Sequence, residues 1–105
     1  MCDLHHGLAN ALMIDTVMAW NYESATAKFD ELAHVCRIGS GGAGFVSWLK
    51  QLKVNVGIVG GLSAHGVKLE HLPRLVEIAA ADLCHQTNPR PCTAADFERL
   101  FKAAL

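Results

Sequence analysis

From Gly7 to Asn21 apolar residues fall on nearly every side of the chain: Leu8, Ala9, Ala11, Leu12, Met13, Ile14, Val17, Met18 and Trp20, interrupted only by Asn10, Asp15 and Thr16. A helix that is apolar all round is a buried helix, so this segment predicts one enclosed by neighbours. From Glu23 to Cys36 the apolar positions Ala25, Phe29, Leu32 and Cys36 form a single helical stripe. A third stripe, Phe45, Trp48, Leu49 and Leu52, repeats at i, i+3, i+4 and i+7, with Lys50 and Lys53 on its wet side. A fourth runs through Leu72, Leu75, Val76, Ala79 and Leu83, with Pro73 suited to a first helical turn. It must stop by Asn88, because Pro89 and Pro91 remove backbone donors. Thr93-Ala94-Ala95-Asp96 has the form of an N-cap, followed by Phe97, Leu100, Phe101 and Ala104 on one face of a last helix.

Between these segments lie two glycine-rich stretches. Arg37–Gly44 holds four of the nine glycines and marks a break. Asn55–Gly66 reads as an irregular connection with a helical turn near Leu62–His65, in preference to a short strand at 54–59. The expected fold is therefore all-α: an antiparallel array of about five helices. Trp20, Phe45, Trp48, Phe97 and Phe101, all at helical spacing, are expected in its core.

Composition sharpens one point. In 105 residues the chain is 51% hydrophobic and 18% charged, with a mean hydropathy of +0.24. A domain this small has a large surface for its volume and is ordinarily more polar. The excess suggests a piece of something larger, with an outer face that is normally covered. The net charge of −1 and the scattered Lys and Arg leave no basic stripe for nucleic acid. No apolar run is long enough for a bilayer, and no signal-peptide pattern opens the chain. Cys2, Cys36, Cys84 and Cys92 are widely spaced, without a CxxC pair. They suit unpaired thiols in a reducing, cytoplasmic setting better than a disulfide scaffold or a structural zinc site.

Chemistry is sparse. His5-His6-Gly7 stands where a helix begins, and the positive end of the helix dipole keeps an imidazole there neutral, the form that ligates metal. The same placement suits a helix cap or a packed side chain, and one histidine does not make a site. His34, His65, His71 and His85 include no pair at i, i+4 that would present two imidazoles on one face. Gly39–Gly44 lacks the lysine and the preceding strand of a phosphate-binding loop and reads as a helix–helix connection. Ser40, Ser47 and Ser63 sit in no nucleophile elbow, and the dispersed carboxylates read as solvated helix faces.

Two stretches carry a resemblance. His6-Gly7-Leu8-Ala9-Asn10-Ala11-Leu12-Met13, with Val17-Met18 and Asn21, is similar to the segment after the metal-binding loop of the iron-containing (group III) alcohol dehydrogenases. Further on, Ala80-Ala81-Asp82-Leu83-Cys84 with Thr87-Asn88-Pro89-Arg90 resembles that family's closing motif, followed by a capped terminal helix. Order and spacing hold over essentially the whole chain. His5, Cys92 and the glycine-heavy Gly39–Gly44 depart from the family pattern.

The resemblance implies that residues 1–105 are the helical C-terminal, metal-side domain of an enzyme whose dinucleotide-binding domain precedes it. The metal of such enzymes, Fe2+ or Zn2+, is held by one aspartate and three histidines, the last of which maps onto His6. The other ligands, and the glycine-rich turns that hold NAD(P), fall outside these residues. Cys84 matches a position near the substrate pocket. The implied activity is NAD(P)-linked oxidation of small alcohols or reduction of aldehydes. The chain by itself is then expected to bind neither metal nor cofactor tightly and to be inactive. Two rivals stand beside this: a free-standing helical module that buries its apolar face in a homo-oligomer, and a small histidine-rich metal binder.

Overall fold

A computed structural model describes residues 4–105, with Cys2 outside them. The described residues contain five α-helices and no strand: α1 (His6–Tyr22), α2 (Thr26–Val35), α3 (Gly41–Asn55), α4 (Leu72–Ala81) and α5 (Ala94–Ala104). Short 3-10 turns lie at Leu62–His65, Leu69–His71 and Leu83–Thr87. Helix α2 packs on α3 and α4 on α5, while α1 lies against both α3 and α5 and joins the two pairs.

Each boundary has a local cause. Helix α1 opens where the Gly7 N–H donates to His5 Nδ1 at 3.2 Å, so His5 is its cap. Helix α2 ends with Arg37 in the left-handed region at φ 59°, as Arg37 N–H donates to His34 O and Ile38 N–H to Ala33 O. Helix α3 ends in the same bonding pattern, but there Gly57 takes the positive φ, the residue that bears that conformation without steric cost. Pro73 sits in the first turn of α4, as expected. Helix α5 begins with the capping box read from Thr93 and Asp96: Thr93 N–H donates to Asp96 Oδ2 at 2.9 Å, and Asp96 N–H to Thr93 Oγ1 at 3.3 Å.

Three local expectations are corrected. The glycine run is not all connection, because α3 starts at Gly41 and Gly42 lies inside it. The Gly42 N–H donates to Asp30 Oδ1 at 2.8 Å, and a Cβ there would come within 3 Å of Tyr22, Phe29 and Asp30. Lys53 is not on a wet face. Its ammonium donates to Asp15 Oδ1 at 2.8 Å and to Leu12 O at 3.2 Å beneath α1, so Asp15 is buried rather than solvated. Trp48 is not core: it stacks on Phe45 but stays 42% exposed.

The core proper joins Leu12, Leu62, Val67 and Ala104, with Leu8, Met13, Leu75 and Phe101 packed around them. It is small for the length of chain. The molecule measures 40 × 31 × 18 Å, and the thin dimension is about two helix diameters. Its radius of gyration is 14.3 Å, against about 13 Å for a compact domain of this length. A slab two helices thick cannot enclose a helix, so α1, apolar on every side, buries Leu12 but leaves Ile14 exposed.

Candidate functional site

His6 is the first residue of α1 and its ring is exposed. Its Nε2 lies 3.2 Å from Asn10 Nδ2, one helical turn on. The other ring nitrogen makes no hydrogen bond among the described residues. His5 beside it is committed through Nδ1 to capping the helix. Among the described residues, no three His, Cys, Asp or Glu side chains cluster so as to hold a metal ion. His6 is a single possible donor at this end of α1, and a metal site there would need further ligands from outside the described residues. The Asn10 amide nitrogen can only donate to Nε2, so in that arrangement a neutral ring carries its proton on Nδ1, and coordination requires the Asn10 amide to turn or to release Nε2.

Cys84 lies in the 3-10 turn between α4 and α5, and several bonds hold that turn. Asp82, in extended backbone at the end of α4, accepts from the Cys84 N–H at 2.9 Å. Thr87 Oγ1 donates to Cys84 O at 3.1 Å. The His85 ring meets Ala80 O at 3.1 Å and stands edge-on to Phe97. The Asp82 carboxylate beside it pushes the Cys84 thiol above the ordinary thiol range. Asp82 itself is held below the usual carboxylate range, chiefly by that backbone N–H.

The Asn88-Pro89-Arg90 segment, which the pattern of apolar positions left without a role, is a clamp. Asn21, buried near the end of α1, exchanges two amide hydrogen bonds with Asn88, at 3.0 and 2.7 Å. Arg90 donates to Trp20 O at 3.0 Å and to Glu23 at 2.9 Å, and its guanidinium lies 3.4 Å from the centre of the Trp20 ring. The clamp fixes the Cys84 turn to the end of α1. A polar Asn21 at the end of an apolar run was the one sequence signal for it.

Between α1, α5 and this turn lies an open apolar groove of about 630 Å³, walled by Met13, Val17, Trp20, Phe29, Phe97 and Phe101, with Cys84 and Cys92 at its edge. Burial raises the Cys92 thiol. The Trp20 indole N–H is buried with no hydrogen-bond partner among the described residues. His6 does not line this groove. It sits at the start of α1, about 10 Å along the helix from Met13, where the groove begins. The described residues thus carry His6 and Cys84 on one helix-and-clamp unit without bringing them into one cavity.

The profile of the Fe-containing alcohol dehydrogenase family, C-terminal, matches residues 1–105. The chain belongs to that family as its C-terminal domain. It is 30% identical to the 4-hydroxybutyrate dehydrogenase of Cupriavidus necator, over 97% of this chain and 28% of that protein. It is 31% identical to the NAD-dependent methanol dehydrogenase of Bacillus methanolicus, over 97% of this chain and 29% of that protein. The fold matches the crystal structure of a 1,3-propanediol oxidoreductase with a TM-score of 0.91 at 24% identity, over all of this chain and 29% of that one. The chain thus spans between a quarter and a third of the length of these relatives. No helix among the described residues is long and apolar enough to cross a membrane.

Proposed function

We propose that this domain forms the metal side of an NAD(P)-linked alcohol dehydrogenase, acting on small alcohols and aldehydes together with a nucleotide-binding domain that is not part of these residues. The observation that supports the reading is the exposed His6 ring at the head of α1, in the His-Gly-Leu-Ala-Asn context of the family segment. His6 would supply one ligand to Fe2+ or Zn2+. When bound, such an ion supplies Lewis-acid polarisation of the substrate oxygen during hydride transfer. His5 keeps the helix start in place, and the clamp at Asn88 and Arg90 holds Cys84 at the substrate pocket. Free thiols at Cys36, Cys84 and Cys92 suit a reducing, cytoplasmic setting.

The test is alcohol-dependent reduction of NAD+ or NADP+ by the full-length gene product, before and after chelation and after readdition of Fe2+ or Zn2+. Metal-restored activity with a small primary alcohol is the expected result, and none from residues 1–105 alone. A full-length protein with no nicotinamide-linked activity on any alcohol or aldehyde, whatever the metal, overturns the reading. One observation favours the second reading, a homo-oligomerising module: Leu32, Val35, Trp48, Leu52 and Val56 leave the α2–α3 pair with exposed apolar side chains. That reading requires a concentration-dependent oligomer of the native protein in sedimentation, with no dehydrogenase activity.

A further inference from the structure

We propose that the α2–α3 pair is a self-association face, on which a second copy of this chain packs the same two helices about a two-fold axis. The proposal goes beyond the dehydrogenase reading and does not rest on it. His6 and Cys84 lie on neither helix, so the face joins chains without entering the site.

The extent of the surface comes first. The chain exposes 6707 Å², whereas a compact monomer of 11.3 kDa exposes about 5,700 Å². The excess, about 1,000 Å², is more than the roughly 800 Å² that each partner buries in a stable interface. Its apolar part is unevenly placed. Of the eleven large hydrophobic side chains exposed among the described residues, seven lie between Leu32 and Val59.

The geometry gathers four of them into one patch. Helices α2 and α3 are antiparallel, since Asp30 meets Gly42 and Phe29 meets Phe45. At 3.6 residues per turn, Leu32 and Val35 sit about 60° and 120° to one side of the buried Phe29. Leu52 and Trp48 sit about 80° and 120° to the same rotational side of the buried Gly42. In antiparallel neighbours equal rotations open on one face. Trp48 anchors the patch: Phe29 stands edge-on to Phe45, and Phe45 stacks on Trp48 at 5.9 Å, so the indole is held before a partner arrives. Charge then selects the partner. Lys28 lies on the same side of α2 and Glu31 at its rim, both exposed, and neither is in an ion pair among the described residues. A two-fold interface sets residue i of one copy against residue j of the other, and j against i. Lys28 of each copy is thereby placed against Glu31 of the other. An apolar patch rimmed by an unpaired cation and an unpaired anion complements itself, which favours a second copy over the preceding domain.

The experiment is sedimentation equilibrium of the full-length protein, comparing the wild type with Trp48→Glu, with Lys28→Glu and with the exchange Lys28→Glu plus Glu31→Lys. The wild type is expected to associate. Trp48→Glu is expected to raise the dissociation constant of that step on the order of tenfold or more. Lys28→Glu raises it by less, and the exchange restores it. Lys28 and Glu31 are exposed, so their variants carry the test should Trp48→Glu fail to fold. A wild type that sediments as one chain at tens of micromolar overturns the proposal, as does an unchanged constant in either single variant. A loss in Lys28→Glu that the exchange does not restore also overturns it. Should Trp48→Glu melt earlier yet assemble unchanged, the face is covered by the preceding domain and the proposal falls. Dehydrogenase activity is measured separately. If the wild type associates through this face but turns over no alcohol, the dehydrogenase reading falls and the face stands.

Discussion

Gly42 shows how a single side chain, here a missing one, sets the geometry of a helix pair. Its N–H is taken by Asp30 from α2, and Tyr22 and Phe29 crowd the space where a Cβ would stand. Alanine is favoured over glycine inside a helix by about 1 kcal/mol, but forcing atoms into a filled site costs typically 1–3 kcal/mol, and here the close atoms include the Phe29 Cβ, which cannot swing away. Gly42→Ala is therefore expected to destabilise the protein by about 1 kcal/mol or more, seen as a lower midpoint in urea, and a stabilised variant would refute the close approach. The Asp15–Lys53 pair works by a different balance. Both side chains are nearly enclosed, so neither is tolerated alone, although the pair together adds little net stability. Neither feature was legible in advance. The stripe through Phe45, Trp48, Leu49 and Leu52 places Lys53 by counting apolar positions only, and the partners of Gly42 and Lys53 lie a dozen or more residues away in sequence.

The elements whose ends are set within a few residues were the ones the sequence read well. The α5 cap needs only Thr93 and Asp96, and the first turn of α4 needs only Pro73, so both were found where expected. The Leu62–His65 turn was also found. Leu83 was misplaced on the α4 stripe. Asp82 ends that helix first, and Leu83 then begins the Cys84 turn at 72% exposure. The α5 cap makes a pH prediction with a definite sign. Hydrogen bonds from Thr93, the backbone N–H foremost, lower the Asp96 carboxyl below its unfolded range, so its contribution is present above that range and is lost as pH falls through it. The advantage of the wild type over Asp96→Asn in urea melts should be full at neutral pH and shrink on acidification. An advantage independent of pH would mean that the ionised carboxylate is not what caps α5. Thr93→Ala removes the other half of the box, worth about 1 kcal/mol for a cap of this kind.

At the scale of the molecule, the apolar excess and the all-apolar α1 pointed to missing neighbours, and the 18 Å slab with its exposed Trp48, Leu52 and Ile14 has the shape that such a composition gives. The functional site was legible only in part and for a physical reason. On the proposed reading a metal site divided between two domains would leave one histidine here, and one histidine at a helix start has no spacing to read. The residue context of His6 supplied what spacing did not, whereas the clamp of Asn88 and Arg90 on Asn21 and Trp20 appeared only once the chain was folded. The two adjacent histidines differ in their contacts: His5 closes the helix start through Nδ1, whereas the exposed His6 ring meets only the Asn10 amide among the described residues. The most direct measurement is the bound iron or zinc per polypeptide in the full-length protein, compared between His5→Ala and His6→Ala after loading under identical conditions. The account predicts that His5→Ala retains its metal with a modest loss of stability, while His6→Ala loses most of it. Full metal occupancy in His6→Ala would contradict the assignment of His6 as a ligand.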